Sequence, residues 1–359
     1  MMCIVKGRIA LANLAQLKLA MGTSILIAGF IFGIFIFAIL FLLQLDLVTG
    51  LIVALGGAGL FILFQYLIGP VVVAASTRLH FLKPEENPWL ESTVKELADK
   101  SGLPMPKLAI VPNKTPNAFT YGRTSSSAVL AVHEGLLTSL NEDEIKGVIA
   151  HELGHIKHKD YIVMTVLSAL PLIAYIVAWS ALRAGMFSSY SGRRGKENNA
   201  GIILIAIGVI AFIVYIITFL SVMRLSRLRE HFADAYSAYV TGSPRSLESA
   251  LTKITYGLSL APQPSSEVRA FYIEDPALAK QEAHAILEKK QDYDLDKDGV
   301  LDERELEHAM EKEAKSTWSN LNTLFATHPP TFRRILLLRE IEKEMQTGRY
   351  TGDRVYTHV

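Results

Sequence analysis

The sequence predicts an integral membrane α+β protein, with four transmembrane helices and a mostly helical soluble part that carries a small β-sheet. Three observations predict it. The mean hydropathy is +0.28 although 20% of the 359 residues are charged, so the apolar residues must be concentrated. Four stretches without charge, 19–45, 47–77, 161–182 and 198–223, each exceed the ~20 residues that a helix needs to cross a bilayer. Between and after them lies ordinary charged sequence with helical and strand periodicities. This composition excludes a soluble globular protein, a disordered one and a disulfide scaffold. The single cysteine, Cys3, has no intramolecular partner. Thirty-six basic residues matched by 35 acidic ones argue against a nucleic-acid partner.

The first apolar stretch follows Lys6, Arg8 and Lys18, as a signal peptide would, but it far exceeds the 7–15 apolar residues of such a signal and reads as a retained anchor. The short link at Asp46 makes the first two spans a hairpin. Lys6, Arg8, Lys18, Arg78 and Lys83 then share one side, which the positive-inside rule places in the cytoplasm of an inner cell membrane. The loop with Arg183, Arg193, Arg194 and Lys196 falls outside on this topology, against that rule, while Lys146, Lys157, Lys159, Arg224, Arg227 and Arg229 make the cytoplasmic flanks basic too.

Six segments follow in order: a membrane hairpin over 1–77, a soluble segment over 78–160, a second hairpin over 161–223, a soluble segment over 224–275, an acidic insert over 276–320 and a C-terminal segment over 321–359. Residues 87–100 have helical spacing and stop at Gly102 and Pro104. Segments 107–111, 118–121 and 126–132 are short, β-rich and separated by Pro, Asn and Gly, as sheet strands are. The last either offers an edge to an extended peptide or is an ordinary inner strand. Asn141 with Glu144 forms a capping box that opens a helix running through His155. Residues 347–359 read as a frayed tail.

The most specific signal is His151-Glu152-Leu153-Gly154-His155. Positions i and i+4 share a helix face, so the two imidazoles can bind one zinc ion while Glu152 reaches a water in its open position. A catalytic zinc takes three protein ligands plus water. A third histidine six residues after the second is excluded, because that position is Tyr161. Glu230 is the better ligand, and Asp234, four residues on, can accept the outer N–H of a ligating histidine. The plainer alternative is a salt-bridged face with Arg227 or Arg229. His158 and His231 read as interfacial residues.

A His-Glu-Leu-Gly-His helix before an apolar hairpin, with Arg229-Glu230-x-x-Ala233-Asp234 just after it, resembles the gluzincin family of HtpX-type membrane proteases and CAAX prenyl proteases. Asn117-Ala118-Phe119, Thr327-His328-Pro329-Pro330 and Arg334 match further motifs in order. Four spans fit HtpX better than the seven-span prenyl proteases. The resemblance implies a zincin-like domain in which His151, His155 and Glu230 hold zinc, Glu152 is the general base and Asp234 orients His151. It also implies that His328 and Arg334 stabilise the tetrahedral intermediate, and that Asn117, Ala118 and Phe119 begin a substrate groove reaching to Glu134. The implied activity is a zinc endopeptidase acting on misfolded membrane proteins in stress-related quality control, with a lipid bilayer as its other partner.

Residues 294–305 fit a calcium-binding EF-hand loop, a feature the family does not explain. Asp294, Asp296, Asp298 and Asp302 stand at positions 1, 3, 5 and 9, Val300 would ligate through its carbonyl at position 7, Gly299 makes the turn, and Glu305 is the bidentate ligand at position 12. Helical sequence flanks the loop, over 279–290 and 304–315. The predicted cofactors are therefore zinc and calcium. A prenyl protease remains one alternative, and a calcium-sensing membrane adaptor with a structural zinc another. A site-2 protease does not fit, because the zinc helix contains Glu142, Asp143, Glu144, Lys146 and Lys157.

Overall fold

A computed structural model describes residues 14–42, 44, 46–190, 199–260, 273, 278, 280–282, 284, 288–295, 297, 305, 308–309, 312, 326–348, 350, 355–356 and 359. The basic loop over 191–198, together with Lys6 and Arg8, lies outside them. Leu19–Gly69 and Ile162–Leu225 form one compact unit, and Pro70–Tyr161 with Ser226–Val359 belong to a second.

The first unit is built from helices long and apolar enough to cross a membrane, with spans over Gly22–Phe41, Val48–Thr77, Asp160–Ser188 and Ala200–Thr241. They belong to α1 (Leu14–Leu42), α2 (Leu47–Thr77), α6 (Asp160–Tyr190) and α7 (Asn199–Thr241). Large apolar side chains such as Leu26, Phe30, Val53, Leu60 and Phe64 point outward, a surface that hydrocarbon solvates and water does not. Inside, Phe32 and Phe35 pack with Ala174, Ala178, Ala211 and Val214. Small residues let these helices come close: a Cβ on Gly208 would fall 2.6 Å from Leu182 Cγ and 2.9 Å from Leu182 N.

At 43 residues α7 is about 65 Å long, twice the ~30 Å hydrocarbon core. Its first part is apolar, and beyond Met223 it carries Arg224, Arg227, Arg229, Glu230 and Asp234. No break separates the last span from the segment with the expected third ligand.

The second unit holds the sheet. Strands β1 (His80–Phe81), β2 (Lys107–Val111), β3 (Ala118–Tyr121) and β4 (Val129–His133) are ordered β1-β2-β4-β3. β2 and β4 are parallel, and β3 returns antiparallel to β4 with Phe119 opposite Ala131. Val73, Ala109, Val111, Phe119, Tyr121, Val129 and Ala131 form its core. One expectation is corrected here. Segment 126–132 becomes a strand only from Val129, because Ser125–Ser127 is a capped 3-10 turn, and it lies inside the sheet. The edge strands of this sheet are β1 and β3.

Helix α3 (Pro88–Ser101) starts at an Asn87 cap whose Oδ1 accepts from the Leu90 amide. α4 (Glu134–Ser139) is short, and α5 (Glu142–His158) opens with the full capping box: Glu144 N donates to Asn141 Oδ1, and Asn141 N to Glu144 Oε2. α8 (Pro244–Leu260) lies against α5, with Ser249 and Lys253 bonded to the buried Glu144 carboxylate. A Cβ on Gly147 of α5 would sit 2.8 Å from Leu247 N, so only glycine permits that approach. α5 ends at Lys159, a non-glycine residue in the left-handed region with φ of 59°, and α6 begins at once with Asp160.

The C-terminal helix Thr331–Gln346 packs on α8. Its first amide, on Thr331, donates to the buried Glu282 carboxylate. The expected frayed tail is corrected at the residues described there. Val355 and Tyr356 are buried, and the Tyr350 hydroxyl donates to Ala235 O at 3.2 Å.

Candidate metal centre

Helical periodicity puts His151 and His155 on one face of α5, and the later part of α7 brings Glu230 to the same point. The Nε2 atoms of the two histidines are 3.1 Å apart, His151 Nε2 lies 3.4 Å from Glu230 Oε2, and His155 Nε2 lies 3.5 Å from Glu230 Oε1. Tetrahedral zinc with bonds of about 2.0–2.1 Å separates neighbouring donors by roughly 3.3 Å. The two imidazole nitrogens and the two Glu230 oxygens are thus spaced much as zinc donors are. Glu230 Oε2 is buried and has no hydrogen-bond partner among the described residues, as an oxygen reserved for a metal would be.

Each imidazole is held from behind. His151 Nδ1 is 2.9 Å from Asp234 Oδ1, and His155 Nδ1 is 2.6 Å from Asp160 Oδ2. With Nδ1 engaged by a carboxylate, Nε2 is the nitrogen left to ligate. Burial opposes charge on His151, but the neighbouring Asp234 and Glu230 carboxylates outweigh it and raise its pKa to about 9. The pocket favours positive charge, which a metal cation supplies.

Glu152 is buried beside this cluster. Burial raises its carboxyl pKa above the ordinary range, against the pull of His155 and His151, and Thr120 of β3 hydrogen-bonds to it. A carboxylate with a raised pKa is a better proton acceptor near neutral pH.

The family profile described as Peptidase family M48 matches residues 84–342. The chain belongs to peptidase family M48. It is 40% identical over 220 residues to a protease HtpX homolog of Methanothermobacter thermautotrophicus, covering 59% of this chain and 80% of the relative. It is 34% identical over 303 residues to a protease HtpX homolog of Thermococcus sibiricus, covering 83% and 88%. The crystal structure of S. mikatae Ste24p covers 88% of this chain and 64% of its own, with a TM-score of 0.45 and 18% identity.

In this M48 chain His328 stands at the centre, its Nε2 3.8 Å from Glu230 Oε1 and its Nδ1 2.9 Å from the Thr327 hydroxyl. Arg334 is fully buried and turned away from solvent. Its Nε and Nη2 donate to Asp234 at 2.9 and 2.7 Å, and its Nη1 donates to Ile273 O at 2.6 Å. Asn117 Oδ1 accepts from the Ile273 amide at 2.8 Å. Ala118 and Phe119 are buried on β3, an end strand of the sheet.

His158, expected at the membrane interface, is buried instead. Its Nε2 is 2.9 Å from the Tyr356 hydroxyl, and its ring meets Phe232, Tyr236 and Tyr356 edge-on. Burial lowers its pKa to about 4, so it packs as a neutral ring. His231 is half-buried.

Of the expected calcium ligands, Asp294 and Glu305 are described, while Asp296, Asp298, Val300 and Asp302 lie outside the described residues. The Leu295 amide donates to Glu305 Oε1, which brings positions 2 and 12 of the loop together. Leu278, Lys280–Glu282 and Lys290–Tyr293 before the loop are helical, as are Glu305, His308, Ala309 and Lys312 after its start.

Sequence reasoning missed Thr120 and Asp160, and offered Arg229 only as a partner of the Glu230 and Asp234 face, whereas it pairs with Asp160. Thr120 alternates with the core residues Phe119 and Tyr121, which marks it for the other face of the strand. Asp160 and Arg229 carry no local signal for their pairing, because 69 positions separate them.

Proposed function

We propose that this M48 chain is a membrane-anchored zinc endopeptidase acting on locally unfolded membrane polypeptides. The observation that carries the reading is the convergence of His151 Nε2, His155 Nε2 and a Glu230 oxygen within 4.8 Å of one another, beside the buried Glu152 and the sheet edge. Zinc bound there supplies a Lewis acid that polarises a carbonyl and lowers the pKa of its water towards ~7.

The chain's own residues do the rest. The outer edge of β3, an end strand of the described sheet, pairs with an extended peptide, as strand addition requires. A folded substrate cannot offer such a strand, which supports a role in quality control. Thr120 orients the Glu152 carboxylate, which accepts the proton of the attacking water and returns it to the leaving amine. His328 donates a hydrogen bond to the developing oxyanion. Arg334 supports the site indirectly, because its guanidinium is committed to Asp234. The basic flanks of the first hairpin support a cytoplasmic catalytic unit.

The test uses the full chain in detergent with unfolded casein. Removal of the metal by a chelator is expected to abolish cleavage, and one equivalent of zinc to restore it. Undiminished cleavage by metal-free protein would overturn the reading.

Calcium modulates this activity through the loop over 294–305. Support comes from its ligand spacing and from the Glu282 carboxylate, which lies in the helical residues before the loop and accepts from Thr331 N, between His328 and Arg334. Calcium is expected to raise the cleavage rate of the zinc-loaded protein severalfold, and Glu305→Gln to remove that response without changing the calcium-free rate. Equal rates with and without calcium would refute the modulation.

A further inference from the structure

We infer that Asp160 is the positioning residue of the second zinc ligand, His155, and that Arg229 holds it in that role. The inference rests on the zinc-site reading above and extends it to residues outside the ligand motifs. Asp160 Oδ2 is 2.6 Å from His155 Nδ1 and 2.8 Å from Arg229 Nη2, and both members of the ion pair are buried.

The arrangement repeats one already described. Behind His151 stands Asp234, bonded to the buried Arg334; behind His155 stands Asp160, bonded to the buried Arg229. Each histidine ligand thus has its own aspartate–arginine pair, and the two pairs come from different parts of the chain. Asp234 uses both oxygens, whereas His155 and Arg229 converge on a single oxygen of Asp160. Asp160 Oδ1, Arg229 Nε and Arg229 Nη1 are buried without hydrogen-bond partners among the described residues.

A pair with so many unmet bonds among the described residues is a poor device for stability alone, since each buried unsatisfied group carries a desolvation cost. It serves instead to place charge. Asp160 is the first residue of α6, immediately after the left-handed Lys159, so its carboxylate folds back onto the last turn of the zinc helix. Arg229 directly precedes Glu230 on α7. The ion pair consequently ties the backbone of the third ligand to the imidazole of the second. An anionic partner at Nδ1 fixes the tautomer that leaves Nε2 free and raises its basicity as a ligand.

The test measures metal binding directly on the full chain in detergent, with zinc titration and the visible spectrum of the cobalt-substituted site. Asp160→Asn keeps the volume and removes the charge. It is expected to weaken zinc binding about 10–100-fold, to shift the cobalt spectrum, and to lower kcat on casein while leaving KM unchanged. Arg229→Gln is expected to act in the same direction, and the double variant to be no worse than Asp160→Asn. Arg229→Lys, which keeps the cation, is expected to recover part of the affinity. If Asp160→Asn does not accumulate, Asp160→Ser is read by the same affinity and spectrum. Wild-type affinity and spectrum in a folded Asp160 variant would overturn the inference. Failure of the protease reading shows separately, as wild-type protein that binds zinc and cobalt but cleaves nothing, and the metal-binding comparison still decides the role of Asp160. Wild-type protein that binds neither metal would overturn both.

Discussion

Glu152→Gln is expected to lower casein cleavage by about 10²–10⁴-fold, with zinc content unchanged. That loss corresponds to roughly 3–5 kcal/mol of transition-state stabilisation. Glutamine has the same shape and can still bond Thr120, but it cannot take a proton from water. The three donors of the metal site are His151, His155 and Glu230, none of which is altered. Stability is not expected to fall. Burial raises the Glu152 pKa, so the ionised carboxylate costs the folded state free energy as pH rises above its unfolded value, and glutamine removes that cost. Zinc analysis, thermal unfolding and cleavage rates on one preparation check all three points. Cleavage at the wild-type rate would eliminate the general-base role and leave the zinc as a structural element.

Removing the Arg334 guanidinium is expected to have the largest effect on stability. Asp234 is fully buried, and Arg334 engages both of its oxygens. Arg334→Ala would leave the buried Asp234 carboxylate with His151 Nδ1 as its one remaining partner among the described residues, at a cost of about 3–5 kcal/mol. It also strips a donor from the Ile273 carbonyl. The double variant Arg334→Ala/Asp234→Asn is expected to regain most of the lost stability, because no buried charge is then unpaired. It should not regain zinc affinity, because His151 has lost the anion at its Nδ1. Thermal unfolding and zinc titration of the two single variants, the double variant and the wild type separate these outcomes. An Arg334→Ala protein as stable as wild type would contradict the account.

The placement of Arg334 changes what that residue can do. Family resemblance pointed to direct contact with the reacting carbonyl. Its Nε, Nη1 and Nη2 are bonded to Asp234 and Ile273, and Nη2 also lies 3.8 Å from Glu230 Oε2 and 3.5 Å from His151 Nδ1, so the guanidinium meets the cluster through these residues. His328 presents Nε2 to the same carboxylate, 3.8 Å from Glu230 Oε1. The two residues lie six positions apart and reach opposite oxygens of the same Glu230 carboxylate.

Features governed by local periodicity were open to reading from the sequence alone. The four apolar stretches follow from the need to satisfy every backbone hydrogen bond within the bilayer. The capping box at Asn141 and Glu144 involves neighbours three residues apart. The pairs His151/His155 and Glu230/Asp234 share helix faces because 3.6 residues complete a turn. The tertiary structure alone decided which partners lie across the chain: Asp160 with Arg229, Asp234 with Arg334 and His158 with Tyr356, separated by 69, 100 and 198 positions. It also decided that β3 rather than β4 forms the edge beside Glu152, since strand order depends on how the parallel β2–β4 pair closes over the connection between them. Buried charges are stable only where a specific opposite charge meets them, and packing brings those charges together, a relation that no local repeat in the sequence encodes.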